Sequence, residues 1–123
     1  MNVLVDTDIV IEVLRGRNPK VLTRWADLVA AGAPIHCTPI TIAEIWAGAR
    51  TSEHQPISRF LAAMDCVDLD AETGKLAGEF LHNYAKSHNV EIADALIAAT
   101  VRWKACLWTR NQKHYPMQQV NFF

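Results

Sequence analysis

The stretch Val3-Leu4-Val5-Asp6-Thr7-Asp8-Ile9-Val10-Ile11-Glu12 runs three apolar residues into two carboxylates and then into three more apolar residues. The run from Met1 to Val5 has the β-branched, continuously apolar pattern of a strand buried on both faces, and Asp6 closes it. Ile9, Val10, Val13 and Leu14 then recur at helical spacing, with Asp8 expected as the N-cap and Gly16 as the stop. Charge at such a junction has three competing explanations: a helix cap, the nucleophile pair of a phosphotransferase, or one corner of a metal site.

Working outward, strands and helices alternate. Asn18-Pro19 opens a helix with Val21, Leu22, Trp25, Leu28 and Val29 on one face and Gly32 beyond its end. Ile35 to Cys37 reads as a second strand, Thr41 to Ala49 as a helix, and Pro56 as the start of another. A third strand is expected around Cys66 to Leu69, and Asp70 caps a long helix striped by Leu76, Ala77, Phe80, Leu81 and Tyr84. A last helix runs from about Glu91 to Trp103, followed by strands at Cys106 to Thr109 and Val120 to Phe123. The alternation predicts an α/β fold on a parallel sheet, in which ligands sit at the carboxyl ends of strands, where Asp6 stands.

The 123 residues suit one domain spanning 1–123, and no apolar run approaches the roughly 20 residues of a membrane span. The first apolar run stops at Asp6, which is unlike a signal peptide, so a cytoplasmic protein is expected. Cys37, Cys66 and Cys106 are odd in number and widely separated, the pattern of thiols rather than of disulfides or a zinc site. The net charge of −1 conceals an asymmetry: 8 basic and 13 acidic residues stand through Asp94, and 4 basic and no acidic residues follow it. Arg102, Lys104, Arg110 and Lys113, with His114, are either a phosphate-binding surface or scattered solvated charge.

Three acids have apolar neighbours: Asp6 in VLVDT, Glu44 in TIAEIWAGA and Asp94 in IADALIAAT. Each also has an ordinary structural explanation. Glu44 completes a capping box with Thr41, Asp6 caps a helix or pairs with a base, and Asp94 forms a buried ion pair with an arginine. Taken together they suggest convergence at one sheet edge. Carboxylates about 4 Å apart repel by roughly 4 kcal/mol at an effective dielectric of 20, so such a cluster demands a cation. Oxygen-only ligands favour Mg2+ or Mn2+ over zinc, and the corresponding substrate is a phosphoester.

The ordered set NVLVDTDIVIEVL, TPITIAEIWAGA, VEIADALIAATV and LWTRNQKHY resembles the PIN-domain ribonucleases, specifically the VapC-type toxins of toxin–antitoxin pairs, across nearly the whole chain. That resemblance implies a three-layer α/β/α sandwich and a magnesium- or manganese-dependent endoribonuclease leaving a 3′-hydroxyl and a 5′-phosphate. It puts Asp6, Glu44 and Asp94 on the metal-binding positions, Thr7 on the supporting hydroxyl and Asp8 on a variable polar position. Asn111, two residues after Thr109, falls where some members carry a fourth acid, which puts a second metal in question. Arg110, Lys113 and His114 are candidate RNA contacts, with a plain surface histidine as the alternative for His114, and a transfer or ribosomal RNA loop is the substrate that the resemblance implies. A cognate antitoxin and a homodimer are further implications, with Trp25 and Trp46 as either partner contacts or core aromatics.

Two other readings stay open. Asp-x-Asp-x-Val also fits haloacid-dehalogenase-type phosphatases with Asp6 as nucleophile, although the acidic motif they need late in the chain is missing after Asp94. A catalytically silent PIN-like binding module would retain the three acids without cleaving.

Overall fold

The computed structural model describes residues 2–102 and 105–123. Five parallel strands, β1 (Val3–Val5), β2 (Ile35–Cys37), β3 (Asp65–Cys66), β4 (Cys106–Trp108) and β5 (Asn121–Phe122), form one sheet in the order β3-β2-β1-β4-β5. The helices are α1 (Thr7–Arg15), α2 (Pro19–Ala30), α3 (Pro39–Ala47), α4 (His54–Ala62), α5 (Ala71–His88) and α6 (Ile92–Val101). The expected α/β sandwich on a parallel sheet is therefore what forms.

Alternation along β1 separates the two cores, because successive strand side chains point to opposite faces. Leu4, with its register partner Leu107, packs against Phe80, Ile97 and Ala98 of α5 and α6. Val3 and Val5, with Trp108, pack against Ile9, Val10, Val21, Ile45 and Ile57 of α1 to α4. Both faces of β1 are thus buried, which is why its sequence is apolar without interruption. Trp25 belongs to the second core, stacked on Phe60 at 5.3 Å between centroids. Trp46 is 37% exposed and meets His54 edge-on at 5.2 Å.

The strand order fixes where a cleft can open. The chain steps from β1 outward through β2 to β3, then returns across the sheet to β4 on the other side of β1. The connections above the carboxyl ends of β1 and β4 therefore diverge, leaving a crevice at that reversal. Asp6 follows β1 and Thr109 follows β4, so both stand at its floor.

Several boundaries differ from the sequence expectation. Helix α3 starts at Pro39 after Thr38, not at Thr41; Pro39 fixes a helical φ at the first position and has no N–H to lose. Helix α4 starts at His54, after a 3₁₀ turn over Thr51–Glu53, rather than at Pro56. Strand β3 covers only Asp65–Cys66, and α6 begins at Ile92. Met1, Trp103 and Lys104, which entered the readings of β1, of the last helix and of the basic end, lie outside the described residues.

Candidate metal and RNA site

Asp6 joins β1 to α1 without a loop. Its N–H continues the sheet ladder to the Trp108 carbonyl, and its side chain caps α1 by accepting from Thr7 N–H at 2.8 Å. Asp6 rather than Asp8 is thus the N-cap; the helix starts directly at Thr7, and Asp8 falls inside its first turn. Two more donors reach Asp6 Oδ2 from the segment that follows the neighbouring strand β4, the Thr109 and Tyr115 hydroxyls, each at 2.9 Å. The Thr109 hydroxyl also accepts from Asn111 N–H at 3.0 Å. Asp6, only 9% exposed, is a buried carboxylate with hydrogen bonds to both of its oxygens, the condition under which burial is tolerated. Burial first, and the adjacent Asp6 charge second, push the Tyr115 phenol well above its ordinary range, so it serves Asp6 as a donor.

A second set of bonds runs from α1 to α3. The Thr7 hydroxyl donates to Glu44 Oε1 at 2.9 Å and lies 3.0 Å from the Thr41 hydroxyl. With its single proton committed to Glu44, Thr7 accepts from Thr41. The capping box expected between Thr41 and Glu44 is therefore absent: Thr41 lies one turn inside the helix, and its fully buried hydroxyl supports Thr7 instead.

A capping box exists elsewhere, at the start of α6. Asp94 Oδ2 accepts from Glu91 N–H at 3.2 Å. Asn89, left-handed at φ 52°, ends α5 and turns the chain toward this helix start, a conformation that asparagine tolerates better than most residues. Asp94 is half-buried rather than enclosed, since Ile92 of the same first turn is 66% exposed. Burial chiefly, with Asp6 adding repulsion, raises its pKa, while the Glu91 N–H and His114 act in the opposite direction.

The loop after β4 closes the site. Asp8 Oδ2 accepts from Arg110 N–H at 2.9 Å and from Asn111 Nδ2 at 3.3 Å, while its Oδ1 is buried with no hydrogen-bond partner. Burial first, then Asp6, raises the Asp8 pKa. The Arg110 guanidinium pairs with Glu12 Oε1 at 3.0 Å, so its charge is directed to α1. Lys113 is exposed, and His114 lines the cleft.

These pieces surround an open cleft of about 450 Å³. Asp6, Asp8, Glu44, Glu91 and Asp94 line it, together with Asn111 and His114, and no described lysine or arginine does. The donor set is oxygen-rich and uncompensated, with a buried unpaired oxygen on Asp8, and in charge and chemistry it fits a hard divalent cation. Among the described residues, however, no three acids or other ligating side chains are already drawn together around a single point. Glu44 and Asp94 are instead hydrogen-bonded to their own supports.

Sequence reading missed Tyr115 and the support role of Thr41. Nothing local flags Tyr115, whose bond to Asp6 spans 109 positions of chain. For Thr41 a signal was present: Thr38-Pro39 has the same cap-then-proline form as Asn18-Pro19 and moves the helix start three residues back.

Comparison with known proteins agrees with this architecture. The family model of the PIN domain matches residues 3–115. Ribonuclease VapC10 of Mycobacterium tuberculosis is 33% identical over 118 residues, covering 94% of this chain and 86% of that protein. Ribonuclease VapC19 of the same organism is 32% identical over 116 residues, covering 93% and 92%. Among solved structures, VapBC2 from Rickettsia felis bound to a DNA fragment from its promoter superposes with a TM-score of 0.81 at 20% identity, covering 100% of this chain and 98% of that one. A family match over nearly the whole chain, curated relatives above 30% identity and a shared fold together lead to one conclusion: this chain belongs to the PIN-domain family, and its relatives within it include VapC ribonucleases.

Proposed function

We propose that this protein is a magnesium- or manganese-dependent endoribonuclease and the toxin of a toxin–antitoxin pair, acting as a single-domain cytoplasmic protein. The observation that carries this reading is the cleft lined by five carboxylates and no described lysine or arginine, at the reversal of strand order. PIN membership displaces the phosphatase alternative, and the bonds of Asp8 to the β4 loop argue against its acting as a free general acid.

Asp6, Glu44 and Asp94 would hold the cation. Bound there, it would supply Lewis acidity toward a phosphodiester oxygen, a lowered pKa for water and screening of the developing charge. The chain's own groups do the rest. Thr109 and Tyr115 fix the plane of the Asp6 carboxylate, and Thr41 acting through Thr7 fixes Oε1 of Glu44. Asp94 keeps Oδ2 on the Glu91 N–H, which leaves Oδ1 facing the cleft to orient the attacking water, whose proton passes to solvent in the open cleft. In-line attack by the water oxygen forms the new P–O bond as the bond to the 3′ oxygen breaks; the 3′ oxygen takes a proton from solvent in the open cleft, giving a 3′-hydroxyl and a 5′-phosphate. His114 at the cleft, with exposed Lys113 and the partly paired Arg110 on the same loop, contacts the RNA backbone of a transfer or ribosomal RNA loop.

The antitoxin would lie in the groove beside this cleft, where Ile11, Leu14, Ile45 and Ile57 line about 330 Å³ that also touches Glu44. Exposed Trp46, one residue beyond Ile45 on α3, rests edge-on against His54 at the start of α4 and is a further candidate contact. A partner tail there reaches the carboxylates with a basic side chain, and a homodimer is the expected assembly. In the solved relative, VapBC2, the complex is bound to promoter DNA.

One observation favours the rival reading of a silent binding module, namely that the acids are not preassembled around one point among the described residues. The deciding experiment incubates the purified chain with single-stranded RNA in Mg2+, in Mn2+ and in excess EDTA, alongside Asp94→Asn. Cleavage that needs metal and fails in the variant supports the nuclease. Absence of cleavage under every metal supports the binding module, and cleavage surviving in EDTA or in Asp94→Asn contradicts the proposed mechanism.

A further inference from the structure

Asp6 is the most heavily bonded carboxylate of the cleft. A carboxylate offers about four lone-pair directions. Thr7 N–H occupies one on Oδ1 at 2.8 Å, and the Thr109 and Tyr115 hydroxyls occupy both on Oδ2 at 2.9 Å each. Among the described contacts the remaining direction is on Oδ1. The two hydroxyls are themselves fixed. Thr109 is held by Asn111 N–H, and Tyr115, 2% exposed, is packed among Phe80, Ile97 and Met117. A phenylalanine ring would fill nearly the same volume, so packing alone does not account for a hydroxyl at this depth. Burying it costs free energy unless it is bonded, and Asp6 is its bonding partner.

The cation classes differ in what they ask of a carboxylate. Mg2+, and Mn2+ with it among hard oxygen-site ions, takes octahedral oxygen ligands, whereas Ca2+ takes about six to eight and commonly binds carboxylates through both oxygens. A carboxylate with Oδ2 already filled cannot offer both. We infer that Tyr115 is a positioning residue that makes Asp6 a one-oxygen ligand through Oδ1 and thereby biases the site against Ca2+. The inference rests on the reading of Asp6 as a metal ligand and goes beyond it by assigning selectivity to a residue outside the acidic set.

The test is calorimetric titration of Mn2+ and of Ca2+ into the full metal-free chain, as wild type, Tyr115→Phe and Asp6→Asn, with thermal melts to verify folding. Wild type is expected to prefer Mn2+. Tyr115→Phe should lose about tenfold in Mn2+ affinity, the scale of removing an outer-shell support, while Ca2+ affinity holds or rises. The Mn2+/Ca2+ ratio then narrows about tenfold. An unchanged ratio, whether both affinities stay put or fall together, overturns the role of Tyr115. If Asp6→Asn binds Mn2+ like wild type, or wild type does not bind it, the ligand reading of Asp6 fails and this inference fails with it. Loss of binding in Asp6→Asn with an unchanged ratio in Tyr115→Phe rejects the Tyr115 role alone. Thr109→Val empties the other Oδ2 position and carries the same ratio test if Tyr115→Phe does not fold.

Discussion

Asp6 and Asp94 line one cleft and are held in opposite ways. Asp6 stands between a buried strand and a helix, with three donors from three separate points of the chain on its two oxygens. Asp94 rides on the first turn of α6, half-exposed, with one bond to the backbone three residues before it. The contrast shows two ways in which a fold tolerates carboxylates gathered in one cleft. One carboxylate is fixed at the end of the central strand, Glu44 stands within α3 on the Thr7 hydroxyl, and Asp94 sits on the half-exposed first turn of α6. The buried carboxylate gets its donors from the protein, whereas the half-exposed one keeps access to solvent.

Four substitutions sharpen or break this contrast. The largest effect is expected from the acids themselves: Asp6→Asn and Asp94→Asn should each lower metal-dependent RNA cleavage by roughly 100-fold or more, measured by product release in single-turnover assays. Equal activity in either variant would remove that residue from the machinery. Next is the support under the rigid side. Leu4→Ala, in the strand that carries Asp6, should cost about 2–5 kcal/mol in urea unfolding, because Leu4 is 2% exposed and packed against the α5–α6 core. A loss below 1 kcal/mol would mean that the strand is less constrained than its packing indicates.

A smaller loss is expected where only a bond is removed. Thr109→Val keeps the shape, strips one donor from Asp6 Oδ2 and leaves Asn111 N–H without its acceptor, at a cost of about 1–3 kcal/mol. The last and smallest effect has the opposite sign. Burial raises the pKa of Asp94 above the ordinary carboxylate value of about 3.9, so folding favours the protonated form. That contribution is fully present below the unfolded pKa and is lost as pH rises through the raised folded value. Asp94→Asn, whose side-chain oxygen still accepts from Glu91 N–H, should therefore melt a few degrees higher than wild type at pH 7 in EDTA. The gain should vanish toward pH 3 and reverse when Mn2+ is added. A variant that melts lower at pH 7 in EDTA would show that Asp94 stabilises the fold as an ion.

Much of this was legible in residue order. Apolar runs ending at Asp6, Cys37 and Trp108 announced strands, and Asp6, Glu44 and Asp94 announced themselves by their apolar neighbours. What the sequence left ambiguous depends on where a helix begins. Asp6 and Asp8 are both good caps, and only the direct passage from β1 into α1 decides for Asp6. Thr41-x-x-Glu44 and Glu91-x-x-Asp94 both have capping-box spacing, and Pro39 moves the first inside its helix while the second stands at an end. Tyr115 was out of reach for a different reason. Its partner is set by the pairing of β1 with β4, and no local spacing encodes a contact made through two strands and a loop.

On the proposed function, the cleft at the strand-order reversal gathers Asp6, Glu44 and Asp94 around a divalent cation. Anomalous diffraction from crystals grown with Mn2+ tests it most directly. A peak is expected within the cleft, touching Asp6 through Oδ1 and flanked by Glu44 and Asp94, with Oδ2 still bonded to Thr109 and Tyr115. A peak elsewhere on the molecule, or none at saturating Mn2+, would contradict it.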